Sequence, residues 1–168
     1  AVAKNGTSEV SINRAITLRT QALMTFVGVP SVLTRADDQS LDYDPNVSTR
    51  QNKNADLGAR LDIALENPGS PFLSIHLNKF TESRYSGAQV FYNGIEDAQA
   101  MARLLQEQLR LVLDPGNTRQ AKPLPGEVYL MEHVMAPAVT IECGFLSNER
   151  EAELLRQPEY QTKVALAI

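Results

Sequence analysis

His76 closes an apolar run, Phe72-Leu73-Ser74-Ile75-His76-Leu77-Asn78, and Glu142 sits at the corresponding place in a second run, Pro137-Ala138-Val139-Thr140-Ile141-Glu142-Cys143-Gly144-Phe145. Each run reads as a buried strand that delivers one ionisable side chain at its carboxyl end. In open α/β sheets the reactive crevice lies at those ends. An imidazole and a carboxylate meeting there suit a metal ligand and a general base: the metal acidifies a water and polarises a carbonyl, and the carboxylate moves the proton. Glu9, in the first turn of a helix, is the best additional carboxylate for such a centre. Glu142 is best placed as the base, because Gly144 two residues on allows close backbone approach. Each residue also has an ordinary explanation. A strand-end histidine is often a hydrogen-bonded structural residue, and a glutamate in a first helical turn is favoured by the helix dipole without any metal. Glu142 is harder to dismiss, since a carboxylate at a buried strand end needs a partner. His133, the second of the two histidines, reads as structural or pocket-lining.

The elements that would position these groups alternate along the chain. Ser8 to Phe26 is expected to be a helix with Ile12, Ile16, Leu23 and Phe26 on one stripe, Thr7 or Ser8 as its cap and Gly28 as its stop. Val29 to Thr34 reads as a short strand, 35–45 as an Asp-rich loop, and Val47 to Leu65 as a second helix that ends at Asn67-Pro68-Gly69. The strand Phe72 to Leu77 is followed by a polar loop and a strand from Gly87 to Tyr92. The linker of roughly ten residues between these strands permits either relative orientation. Asp97 is expected to cap a third helix running to about Leu113. Residues 118–127 look irregular, and Val128 to Met131 reads as a short strand. After the Glu142 strand, Asn148 with Glu151 three residues later resembles an N-cap pair that opens a fourth helix. The order predicts an α/β sandwich with a mostly parallel sheet between helices.

Bulk properties narrow the function. A chain of 168 residues with 43% apolar and 21% charged residues suits one domain with a real core. The formal net charge of −4 argues against a nucleic-acid footprint. No apolar run is long enough to span a membrane. The single cysteine, Cys143, excludes an internal disulfide and a Cys-rich zinc site. Next to Glu142 on a strand it should face the opposite side, as a small core residue rather than a nucleophile.

Taken together, these segments resemble the zinc-dependent N-acetylmuramoyl-L-alanine amidases of the type-3 family. The resemblance is carried by Glu9 at a helix start, Leu33-Thr34-Arg35 followed by Asp38, Ser74-Ile75-His76-Leu77-Asn78, Ser86-Gly87-Ala88, and Pro137-Ala138-Val139 leading into Glu142-Cys143-Gly144-Phe145-Leu146-Ser147-Asn148. These pieces come in the family's order and cover nearly the whole chain. The stretches 50–57 and 87–92 look most like the sporulation and germination amidases of Gram-positive spore formers.

The resemblance implies a central, mostly parallel sheet of about six strands flanked by helices. It implies hydrolysis of the amide between N-acetylmuramic acid and L-alanine of peptidoglycan by a zinc-activated water. By position, Glu9 and His76 are zinc ligands, Glu142 is the catalytic carboxylate, and Asn78 supports the site from behind the ligands. An extracytoplasmic place in a bacterial cell envelope follows. The family's first ligand, a histidine in a Gly-His-Gly-Gly motif at the end of a first strand, is expected just before Ala1. Residues 1–168 are therefore read as an amidase catalytic domain truncated at both ends. A second reading, a non-catalytic peptidoglycan-binding module with a degenerate metal site, is motivated by the same missing histidine. Zinc peptidases of other kinds are not supported, because neither His-Glu-x-x-His nor His-x-x-Glu occurs.

Overall fold

The computed structural model describes residues 6, 8–37, 39–126 and 128–168. Thr7 and Asp38, weighed above as a cap and a motif residue, lie outside the described residues. A four-stranded sheet in the order β1-β4-β2-β3 forms the middle layer. Its strands are β1 (Phe72–Asn78), β2 (Gln89–Tyr92), β3 (Lys122–Pro123) and β4 (Ala138–Phe145). β1 runs parallel to β4 and β3 parallel to β2, while β2 runs antiparallel to β4. The orientation that the sequence left open is thus settled: β2 opposes β1, and the sheet is mixed. Among the described residues it has four strands where about six were expected.

Side-chain alternation assigns the two faces. Leu73, Ile75 and Leu77 of β1, Val90 of β2, and Val139, Ile141 and Cys143 of β4 pack into the main core with Ile12, Ile16, Leu105, Leu109, Leu155 and Val164. Those partners come from α1 (Glu9–Phe26), α3 (Ala98–Leu113), α5 (Glu149–Arg156) and α6 (Pro158–Ala167). On the other face Phe72 and Ala138, at the amino ends of β1 and β4, pack with Leu61, Leu130, Met131 and Val134. Leu61 is carried by α2 (Thr49–Leu65), Leu130 and Met131 by α4 (Tyr129–His133), and Val134 follows directly as the C-cap of α4. Helices therefore cover one face broadly and the other only at the strands' amino end. The carboxyl end of that second face, where His76 and Glu142 sit, is left for chemistry.

Local sequence explains most element ends. Ser48 caps α2 through a full capping box: its side chain accepts from the Gln51 amide, and Gln51 accepts from the Ser48 amide. Asn148 caps α5 by accepting from the Glu151 N–H, as its spacing implied. The expected fourth helix is two helices, because Pro158 cannot donate to a continuing ladder and instead starts α6. Asp97 precedes α3 with φ 69° and makes no side-chain cap bond, so it does not cap in the manner anticipated.

Two expected strands are absent. Residues 29–34 form no strand; Pro30 interrupts the run, and Val29 and Val32 are exposed without a sheet partner. The run 128–131 opens α4 instead, since four apolar residues carry no decisive period and the helical turn buries Leu130 and Met131 against α2.

Candidate active site

Parallel pairing of β1 and β4 brings His76 directly opposite Glu142, about one strand spacing, ~4.8 Å, away. α1 contributes the third group. Packed against β1 and α6 through Ile12 and Ile16, its first turn hangs over the carboxyl end of β1. Glu9 Oε1 lies 3.2 Å from His76 Nδ1 and accepts from the Leu77 N–H at 3.4 Å and from Asn13 Nδ2 at 3.3 Å. The other ring nitrogen, His76 Nε2, is 3.0 Å from Ser74 Oγ. Burial raises the Glu9 pKa, but hydrogen bonds, that of His76 foremost and then that of the Leu77 amide, pull it down. Glu9 is thus a fixed anion at the mouth of the site.

Glu142 is the opposite case. Its Oε2 is buried and has no hydrogen-bond partner among the described residues. Burial pushes its pKa up; the nearby His76 pulls it down and the nearby Glu9 pushes it further up. Two carboxylates with environments that drive their pKa values apart, one ionised and one poised, form a pattern that separates an electrostatic role from a proton-carrying one. Cys143 points into the core on the other face, and burial raises its thiol pKa far out of the range of a nucleophile.

The other residues singled out from sequence divide. Asn78 ends β1 opposite Phe145, and its carbonyl accepts from the Leu146 N–H. The ladder shifts register between His76 and Asn78, a bulge-type irregularity just beyond the two ionisable groups, and pairing resumes at Asn78. His133 is not brought to them. It lies on the exposed flank of α4, stacked on Tyr129 with its Nδ1 against the Tyr129 carbonyl, near the end of the sheet where β1 and β4 begin.

Several residues escaped the sequence reading. Asn13 binds Glu9 at an i,i+4 spacing, which was a legible signal. Gln89 was not legible, because only the antiparallel register puts it beside Glu142. Arg119, from the stretch expected to be irregular, donates to Gln89 Oε1 at 2.8 Å and to the Ser86 carbonyl at 2.7 Å, and lies over the Phe145 ring.

Among the described residues no three or more His, Cys, Asp or Glu side chains converge as a metal-holding group. Two donors do meet, Glu9 and His76. Their 3.2 Å separation matches the edge of a tetrahedron with metal–ligand bonds of about 2.0 Å, roughly 3.3 Å. Were Nδ1 to ligate a metal there, Nε2 would carry the proton and Ser74 Oγ, 3.0 Å away, would accept it, the kind of support that orients a ligating histidine. Carboxylate and imidazole suit zinc, so the pair fits part of a zinc site.

An α/β sandwich with an imidazole, a fixed carboxylate and a buried unpartnered carboxyl at its strand ends has the build of a hydrolase. Comparison with known proteins makes this specific. The family model described as N-acetylmuramoyl-L-alanine amidase matches residues 1–168, and the chain belongs to that type-3 amidase family. It is 35% identical over 161 residues to the germination-specific N-acetylmuramoyl-L-alanine amidase of Bacillus subtilis, covering 95% of this chain and 67% of that protein. It is 28% identical over 165 residues to the amidase LytC of the same organism, covering 98% of this chain and 30% of LytC. Among solved structures, the CwlD amidase from Clostridioides difficile, in complex with the GerS lipoprotein, superposes with a TM-score of 0.94 at 42% identity, covering 99% of this chain and 86% of that one. The catalytic domain of CwlV from Bacillus (Paenibacillus) polymyxa shares the fold at a TM-score of 0.77 and 24% identity, covering 100% of this chain and 85% of that one.

Proposed function

We propose that the chain hydrolyses the amide between N-acetylmuramic acid and L-alanine in peptidoglycan, with Glu142 as the proton-transferring carboxylate and Glu9 and His76 holding zinc. The observation that carries this reading is the buried, unpartnered Oε2 of Glu142, in register with His76 and next to the Glu9–His76 pair. A desolvated carboxyl with a raised pKa is costly to fold and is suited to taking a proton from the attacking water and returning it to the leaving amine. Zinc, when bound, polarises the scissile carbonyl and lowers the pKa of water towards about 7. Glu9, held by the Leu77 amide and Asn13, keeps negative charge in place for a cation. Ser74 fixes the His76 ring, and Asn78 steadies the end of β1 behind it. No additional ligand converges on Glu9 and His76 among the described residues.

The germination-specific relative and the spore-type motifs support a role on cell-wall peptidoglycan during germination or sporulation, outside the cytoplasm. No helix among the described residues is long and apolar enough to cross a membrane. A non-catalytic wall-binding module is not favoured, because the relatives in family context are named amidases.

The test uses the full-length protein supplied with zinc. Release of stem peptides from purified wall is expected, and Glu142→Gln should lower turnover by about 10²–10⁴-fold while leaving bound zinc unchanged. Wall cleavage that persists in the variant would remove Glu142 from the mechanism.

A further inference from the structure

Across the sheet, His76, Glu142 and Gln89 stand in one row on the same face, and Arg119 extends that row by one residue. Gln89 is buried, and both of its side-chain polar atoms are engaged: its amide donates to the Gln120 carbonyl and its oxygen accepts from Arg119 Nη1. It is a rigid mount. Arg119 is further fixed by the bond from its Nε to the Ser86 carbonyl and by stacking of its guanidinium 4.7 Å over the centre of the Phe145 ring. Such a guanidinium is pre-organised and weakly hydrated.

Arg119 is hydrogen-bonded to no anion among the described residues; the nearby Glu151 carboxylate feels its charge but is already held by the Gly87 and Phe145 amides. No carboxylate lies within ion-pair distance of it among the described residues, and its Nη2 has no protein acceptor there. The neighbouring cation differs: Arg84 is paired with Glu82 at 2.7 Å. Arg119 also walls an open cavity of about 300 Å³ shared with Tyr85, Ser86 and Asn117. One carboxylate, Asp114, lies on that cavity's wall, and its Oδ1 is engaged by the Gly116 amide.

Resting on the amidase reading above, we infer that Arg119 is a substrate-binding residue that recognises a free carboxylate on the stem peptide, one residue beyond the L-alanine. The geometry suits the distance. Gln89 is ~4.8 Å from Glu142 across the ladder, and the guanidinium sits one side-chain length further. A peptide extended from the scissile amide advances about 3.6 Å per residue, so the carboxylate of its second residue arrives at Arg119 while the amide stays at Glu142. The planar fork with unused N–H donors matches the two charged oxygens of a carboxylate, whereas the carboxamide of an amidated stem offers one uncharged acceptor and turns an NH₂ towards the remaining donor.

The test measures kcat/KM of the full-length protein, with zinc, on two muramoyl peptides that differ only in whether the second residue carries a carboxylate or a carboxamide. The wild type is expected to prefer the carboxylate by roughly 10-fold or more, the scale of a charge-assisted hydrogen bond. Arg119→Gln should bring the two substrates to near equality by raising KM for the acidic one. Equal cleavage by the wild type, or an equal loss on both substrates in Arg119→Gln, overturns the inference and leaves Arg119 as a brace between residues 86–89 and 119–120. Failure of the wild type to cleave either peptide instead overturns the amidase reading itself. Should Arg119→Gln not fold, Arg119→Lys decides, because it keeps the charge and loses the fork. KM should then rise for the acidic peptide alone, and a rise for both would sink the proposal.

Discussion

Glu151 shows how a residue read as part of a helix cap can hold the site's rear wall. Its carboxylate accepts from the Gly87 N–H at 2.8 Å and the Phe145 N–H at 2.7 Å, joining the start of β2 to the end of β4. Burial pushes its pKa up, and those two amides together with the nearby Arg119 charge pull it only part of the way back. Glu151→Ala should strand two buried donors and cost on the order of 2–4 kcal/mol in a denaturant titration. Glu151→Gln keeps one acceptor and should lose less. The pH dependence follows from the sign of the shift. An acid with a raised folded pKa adds stability that is complete below its unfolded value, 4.5, and is lost as pH rises through the raised one. Thermal melts from pH 4 to 7 should therefore show a shallower decline with pH in the Gln variant than in the wild type. At the same scale, Glu9, His76 and Glu142 could be nominated from residue type and strand or helix position alone. Arg119 could not, because an arginine in an irregular stretch carries no local pattern.

Among the elements, the segment leading into β2 is the most constrained. Gly87 has φ +92°, and a Cβ there would lie 2.7 Å from Asn117 Oδ1. Asn117 cannot easily yield, since it is buried, donates to the Ala88 carbonyl and accepts from the Arg119 N–H. Gly87→Ala should therefore destabilise by about 1–3 kcal/mol through strain and overpacking. It should also displace Arg119, so a lowered melting temperature ought to be accompanied by a raised KM on acidic peptides with kcat nearly unchanged. The helices formed where their periodicity required and Asn148 caps as expected, while Asp97 does not cap α3 and the last helix divides at Pro158. The short segments did not form the expected strands. Four to six apolar residues, as at 29–34 and 128–131, fit either period, and only the neighbouring surface decides between strand, turn and coil.

For the whole molecule, the layer arrangement explains why chemistry occurs where it does. α1, α3, α5 and α6 cover one face of the sheet, and α2 with α4 close the amino end of the other. Among the described residues no helix packs on the carboxyl end of the second face, and there α1 adds Glu9 from outside the sheet. A cation held between α1 and β1 would tie these two elements together, so binding should stabilise the fold. At about 100 times its dissociation constant zinc would add roughly 2.7 kcal/mol, a rise of about 5–10 °C in melting temperature for a chain of this size. The full-length protein should show that rise in a thermal melt, and His76→Ala should abolish it. An equal rise in the variant would show that zinc binds elsewhere.

The residue types at the site, the strand ends that carry His76 and Glu142, the helix that carries Glu9 and the family were all legible in the chain, because each depends on local pattern: apolar runs, helical stripes, caps and short motifs. The order and orientation of the strands were not, nor the row from His76 through Glu142 and Gln89 to Arg119, nor the isolation of His133. These depend on which distant segments pair and in what register, and pairing energy is set by the packing of whole faces rather than by the sequence of any one strand.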